Sequence, residues 1–434
     1  MDAVLRNFFQ DATIPELSRV IRHYPDDAVL DVTGAVRQSM DAARLEATLP
    51  KSGSIALAVG SRGICRLPEM VAAVAAWFRD KGFAPFIVPA MGSHGGATAQ
   101  GQADTLAQLG VTERSVGCPV RSGMEVEEVG LLPEGIPVYM DALAARADGI
   151  FVINRVKPHT AFRGSHESGL VKMITIGLGK QKGAATCHAS GFGAMPELMP
   201  RMAALALERA RILGGLGIVE NAHDHPLHIE AVNAGGLFAC DSRLLDLARA
   251  QMPALPVREL DVLVLDEMGK NISGAGLDGA VTGRFATPYL TADIRVSKLV
   301  VLDLTPESEG NATGMGNADI ITRRLHDSID FSPTYANALT TTLFKSVMVP
   351  LVTDSDEDAM RCAIKTCNAS PDALRLIRIR NTLTPTRMLV SPVLAEELRA
   401  HPQCEVLSGG LRPRFGSDGT LLDRDIWNDF DGVE

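Results

Sequence analysis

Short apolar runs alternate with stretches of helical spacing through the first half of the chain. IALAVG, residues 55–60, has strand length and ends on a glycine; LPEMVAAVAAWFRDKG, residues 67–82, repeats apolar residues at helical spacing and stops on Lys-Gly. PFIVPAM, residues 85–91, predicts the next strand. Strand, turn, helix and strand of these lengths predict a right-handed crossover in a parallel sheet. The turns GSRGI (60–64) and MGSHGGAT (91–98) are therefore expected at one carboxyl edge, facing one crevice.

GIFVINRV (149–156) and GGLGIVEN (214–221) continue the strand pattern, with the helical stretch LMPRMAALALERARI between them. After MPALPVREL a second set follows: DVLVLDEMG, KLVVLDLTP, the helix-like ADIITRRLHDSI, ALRLIRIRN and a late helix PVLAEELRA. The expected fold class is α/β, with two α/β domains, residues 1–255 and 256–434, and a cofactor and substrate cleft between them. Neither an internal repeat nor a heptad run interrupts this pattern.

Composition narrows the function classes. The 434 residues are 46% apolar and 22% charged, ordinary for a globular chain and too long for one compact core. A formal charge of -10 gives no field that draws the chain to nucleic acid or to acidic membranes, though a local basic pocket for a small anion stays open. No apolar run approaches the roughly 20 residues of a membrane span, and the start, MDAVLRNFFQDATIPEL, has no basic segment followed by an apolar one, so a cytoplasmic location is expected. Seven cysteines without a Cys-x-x-Cys pair argue against a disulfide framework and a thiolate zinc site; they read as small buried residues.

Four places carry candidate chemistry. Arg62, between the glycines of GSRGI, would present a planar fork of donors to a carboxylate or phosphate; the plainer alternative is a surface ion pair. His94 lies among glycines that let a ligand approach the backbone, and an imidazole there exchanges protons near neutral pH. The densest stretch, KPHTAFRGSHESGLVKMITIGLGKQKGAATCHAS, holds His159, His166 and His188 together with Lys157, Lys172, Lys180 and Lys182. Lys172 sits in an apolar run, where a cation is costly unless it is neutralised, paired or covalently used; a lysine reaching to solvent is the alternative. In DEMGKNISGAGLDG, Glu267 and Lys270 are three apart, so a turn would put acceptor and cation on one side, in a substrate contact or a plain salt bridge. HDHPLH, with His223, His225 and His228, lacks a carboxylate at ligand spacing and reads as a loop. Residues 310–324, GNATGMGNADIITRR, offer either an anion site at a helix start or a capped turn.

His94 in a Met-Gly-Ser-His turn, Lys-Pro-His at His159, Ser-Gly-x-x-Lys at Lys172, His188, and a strand-end Glu-x-x-Lys at Lys270 resemble, in that order, the nickel-pincer-nucleotide-dependent lactate racemase family. The resemblance spans residues 55–275, roughly. It implies a nickel-pincer nucleotide, a pyridinium mononucleotide joined through a thioamide to Lys172, with His188 completing a square-planar nickel already held by two sulfurs and a carbon. It implies further that His94 and His159 are the acid/base pair, that Arg62 binds the carboxylate of a 2-hydroxy acid, and that Lys270, with Glu267, holds substrate or cofactor groups from the second domain. The expected activity is that of a racemase or epimerase, with cofactor-synthesis proteins as partners. Val59 stands where the family usually has an acid, and FRGSHE is inserted between Pro-His and Ser168-Gly169. In that insert Arg163 and His166 are placed to meet a substrate's distal end, which points to a larger or doubly charged hydroxy acid. The alternatives are another hydroxy-acid enzyme on the same scaffold and a non-catalytic nickel- or nucleotide-binding homologue. A zinc hydrolase is disfavoured, since no His-Glu-x-x-His occurs.

Overall fold

The computed structural model describes residues 3–61, 63–428 and 430. The chain is α/β and divides into two compact units, residues 25–252 and a discontinuous unit of residues 1–24 with 253–434. Among the described residues no helix is long and apolar enough to cross a membrane.

The strands in chain order are β1 Leu17–Arg22, β2 Ser54–Val59, β3 Ala84–Pro89, β4 Val126–Leu131, β5 Pro137–Asp141, β6 Gly149–Arg155, β7 Ile212–Glu220, β8 Pro226–Asn233, β9 Glu259–Leu265, β10 Arg295–Val301, β11 Ile320–Thr322, β12 Leu351–Thr353, β13 Leu376–Ile379, β14 Arg387–Val390 and β15 Cys404–Leu411. In the unit of residues 25–252 they form a sheet of order β3-β2-β6-β7-β8, in which only β8 runs antiparallel, and a separate β4-β5 hairpin. Val59 pairs with Pro89 on one side and Ile153 on the other, so β2 and β3 end level while β6 runs two residues further, to Arg155. The crossover between β2 and β3 is the helix Leu67–Asp80, which has Pro68 in its first turn and buries Met70, Val71, Val74 and Phe78. β7 is buried along its whole length, and its glycines admit close neighbours: a Cβ on Gly217 would lie 2.4 Å from Leu244 Cδ1 of the helix Leu237–Gln251.

The discontinuous unit has an eight-stranded sheet of order β12-β11-β10-β9-β13-β14-β1-β15. Its first five strands are parallel and the last three form an antiparallel wing. The units divide at 252/253, close to the expected 255, but the start of the chain falls outside the expected first domain of residues 1–255. β1 pairs with β14 and β15, so the first 24 residues belong with the C-terminal part of the chain. The stretch 318–329 is also not one helix: it divides into β11 and the short helix Arg323–Asp327, whose first turn is capped by Thr322.

β9 and β13 are joined at their ends by a buried ion pair. Arg378 Nε and Nη2 each lie 2.7 Å from Asp266, and Trp427 Nε1 donates to the same carboxylate at 2.7 Å. Arg378→Met would leave that carboxylate buried and short of partners, at a cost of about 3–5 kcal/mol. A urea titration should show the loss, with part of it recovered in the Arg378→Met/Asp266→Leu pair. An unchanged midpoint in the single variant would contradict this account.

Candidate functional site

The carboxyl ends of the parallel strands β2, β3 and β6 deliver three segments to one edge. The segment after β3 turns at Gly92, whose φ of +60° suits glycine and whose N–H donates to Gly177 O at 3.1 Å. The turn is held by a buried polar chain. Gln102 Nε2 donates to Gly92 O at 2.9 Å and to His94 O at 3.3 Å. Gln102 Oε1 accepts from Lys180 Nζ at 2.8 Å, and Lys180 also donates to Pro89 O and lies 3.0 Å from Asp141 Oδ2. His94 is exposed on this turn, with its Nδ1 hydrogen-bonded to the Ser61 hydroxyl at the end of β2.

The segment after β6 closes on itself, with Lys157 N donating to Ser168 O at 2.7 Å and Ser168 N to Lys157 O at 3.2 Å. Inside the closure lies the buried carboxylate of Glu167. It accepts from His159 N at 2.6 Å, Gly164 N at 3.1 Å and Arg249 Nη2 at 2.6 Å. The half-buried ring of His159 packs against Phe162, centroids 4.5 Å apart, and its Nδ1 accepts from Ala161 N at 3.1 Å.

Next comes a short helix, Leu170–Lys172, continuing into a π-helical turn, Met173–Gly177, in which Leu178 N reaches Met173 O at 2.8 Å. Asp241 Oδ1 accepts from Leu170 N at 2.5 Å at the start of that helix, and Asn154 Nδ2 donates to Gly169 O at 3.1 Å. Such π turns are uncommon and concentrate at functional sites. The helix Lys180–Ala189 then carries His188, whose ring lies edge-on to Phe192 at 5.3 Å; Phe192 is also 6.0 Å from the His159 ring.

His159, Lys172 and His188 therefore share one neighbourhood, and their electrostatics agree. Burial, then the charges of Lys172 and His188, hold the His159 imidazole well below the usual histidine range. Burial, followed by Lys172, brings His188 down to about 4. The adjacent Cys187 is fully buried, and its thiol is pushed up to about 11.

The other expected residues fare differently. Arg62 lies outside the described residues. Val59 is wholly buried under the helix Leu67–Asp80, so no acid could occupy that place without a buried partner. The two candidates for a substrate's distal end are committed elsewhere. His166 is buried with Nδ1 3.1 Å from Asp241, and Arg163 Nη1 donates to His159 O at 2.6 Å while pairing with Glu167 at 3.4 Å. Arg163 thus braces the loop that bears His159. Lys182 stacks on Tyr139 at 4.2 Å. In the discontinuous unit, Glu267 accepts from Arg380 at 3.0 Å and Asn381 at 2.8 Å, and Lys270 Nζ donates to Gly274 O at 2.6 Å and Asn337 Oδ1 at 2.9 Å. His225 pairs with Asp26 and His228 with Glu230, and no group of three metal-ligating side chains gathers among the described residues. The helix at residues 323–327 starts on its own Thr322 cap, the plainer of the two readings of residues 310–324.

Sequence reading missed Glu167, Ser61, Gln102, Asp241 and Phe192. Phe192 had a usable signal, being an aromatic four positions beyond His188. The rest declare themselves only once the loops close.

No family model matches the chain, and no curated protein matches it. Among solved structures, it is similar to the lactate racemase apoprotein from Thermoanaerobacterium thermosaccharolyticum, at 12% identity and a TM-score of 0.47, over 84% of this chain and 88% of that one. It is similar also to a protein from Thermotoga maritima known from its crystal structure, at 14% identity and a TM-score of 0.46, over 64% and 72% of the two chains.

Two expectations follow from the geometry. Lys180→Met leaves Asp141 buried and unpaired, so it should cost about 3 kcal/mol and remove hydrogen-exchange protection at Gly92; protection retained at Gly92 would mean that Lys180 does not hold the turn. The depressed imidazoles carry a definite sign. On acidification the unfolded chain takes up its protons first, so the contribution of both rings is complete above pH 6.5 and is lost as the pH falls below it, that of His188 down to about 4. Ring titrations of His159 and His188 by NMR should show midpoints well under 6.5; ordinary midpoints would remove the burial argument.

Proposed function

We propose that the chain is an isomerase of the 2-hydroxy acid racemase and epimerase type, inverting C2 by reversible hydride transfer to a nickel-pincer nucleotide tethered at Lys172. The observation that carries this reading is that His159 and His188 both pack on Phe192 and both feel the charge of Lys172, with burial the main cause that disfavours charging either imidazole.

The donor set suits such a group. Among the described residues no three protein ligands gather for a metal, whereas a metal that arrives with most of its donors needs one neutral imidazole from the protein, which His188 offers. Lys172 lies at the start of the π turn, in reach of the same surroundings, and supplies the amine for the tether. When bound, the cofactor supplies the hydride acceptor.

The chain's own residues do the remainder. An imidazole takes the hydroxyl proton as the C2 hydrogen leaves with its electron pair, and a proton returns to oxygen when the hydrogen comes back; His94 and His159 are the groups for this. Arg62 is assigned the substrate carboxylate on the resemblance alone. Glu167, Arg163 and Arg249 keep the His159 loop in place, so the site meets its substrate largely prearranged. With Arg163 committed to the loop, nothing at this position favours a second carboxylate on the substrate.

The test is the full chain produced alongside the cofactor-synthesis proteins. Peptide mass analysis should place an adduct on Lys172, metal analysis should find nickel, and chiral analysis over a panel of 2-hydroxy acids should show C2 inversion. Lys172→Ala should lose adduct, nickel and activity together, and His188→Ala should lower nickel while the adduct remains. An adduct on Lys180 or Lys182, or nickel binding independent of Lys172, would overturn the assignment.

A further inference from the structure

The helix Phe331–Thr341 in the discontinuous unit is turned inside out. It buries Thr334 and Ala338, one turn apart, and leaves Tyr335 and Leu339, also one turn apart, in solvent. A helix that packs only within its own unit puts its large apolar side chains on the inner face. Thr334 suits its inward place, since its hydroxyl accepts from Ala312 N at 3.1 Å and donates to Asp330 O at 2.7 Å. Tyr335 and Leu339 have no such use within the unit. We infer that the surface formed by residues 331–353 is a two-fold interface between copies of this chain.

The same pattern continues beyond the helix. Thr342, at a φ of +61°, ends it, and the turn Phe344–Val347 packs back against it with Ser346 and Val347 buried and Phe344 outward. Met348, Val349 and Leu351 then lead along the outside into β12. The six large apolar side chains between residues 335 and 351 are each 44–67% exposed. At about 100 Å² apiece for half-exposed groups of this size, they uncover on the order of 600 Å², as much as the largest apolar patch of a typical monomer. Scattered apolar residues need no explanation; this many from one short stretch of chain do.

Charge decides the partner. Residues 331–353 carry one charged side chain, Lys345, in a chain that is 22% charged, and its amine donates to Phe285 O at 3.0 Å. Loss of charge together with exposed Tyr, Phe and Met is the composition of an interface core. Such a surface has no means of selecting a charged partner. A second copy needs none. In a two-fold contact the surface meets itself, so any charge on it would face its own kind; an uncharged patch lets two chains of formal charge -10 close without that penalty.

The area fits as well. Two copies would remove on the order of 1,200 Å² of surface, the lower end of a specific interface. β12 stands at the edge of its sheet, paired with β11 alone, but Pro350 removes a donor just before it. Side chains, and not an extension of the sheet, therefore carry the contact.

Sedimentation of the full chain over roughly 1 to 100 µM should show a dimer at the upper end, and added salt should tighten it by screening the like net charges. Monomer throughout, a species larger than two copies, or dissociation by salt overturns the inference. Leu339→Asp combined with Phe344→Asp sets like charges against each other across the contact and should raise the dissociation constant on the order of 100-fold or more. A dimer unchanged by the pair would place the contact elsewhere. Hydroxyl-radical footprinting of the wild type at the upper concentration needs no variant. Leu339 and Leu351 should be oxidised less than Leu383 and Leu422, which are comparably exposed in the single chain; equal oxidation overturns the inference even where the variant fails to fold.

Discussion

Carbonyls and amides at the carboxyl edge of parallel strands must find new partners where the strands stop, and this requirement shapes everything built at the site. β2 and β3 end level and β6 runs two residues further, so three loops leave the sheet along one edge. The chain meets the need with side chains that are themselves buried. Lys180 and Gln102 serve the loop after β3, Glu167 the loop after β6, and Asp241 the start of the helix that follows. Each of these polar groups is satisfied by backbone on one side and by a second side chain on the other, which is how buried charge is tolerated.

The imidazoles of His159 and His188 inherit their state from that scaffolding. Neither is neutral because of a special partner. They are neutral because closing the loops removes water, and because the charges left nearby are cationic. The same closure orients them, so the electrostatics and the geometry of the site have one origin.

Much of this was legible beforehand. The crossover from β2 through the helix Leu67–Asp80 to β3 follows from strand-length and helical apolar spacing, and the placing of both glycine turns at one edge follows from its handedness. The order of His94, His159, Lys172 and His188 was readable too, since the last three fall within one polar-rich stretch. What stayed hidden depends on distant pairing. β1 is buried only at Leu17 and Val20, too sparse a pattern to announce a strand, and its partners β14 and β15 lie at the far end of the chain. Arg163 and His166 look like substrate contacts as long as their loop is imagined open. Once Glu167 and Asp241 draw it inward, both become part of its frame. Lys180 resembles its neighbours Lys172 and Lys182 in sequence, and only burial separates it from them.

Cys187 shows how a chain selects partly by what it withholds. It precedes His188 on the same helix, yet successive residues on a helix face different ways, and its sulfur is turned into the core and kept protonated. A thiolate beside that imidazole would form the beginnings of a pocket for soft and borderline ions, zinc and copper among them, whose affinity for sulfur exceeds that of most competitors. With the sulfur silent, the imidazole stands as a single weak donor that stray ions have little reason to occupy.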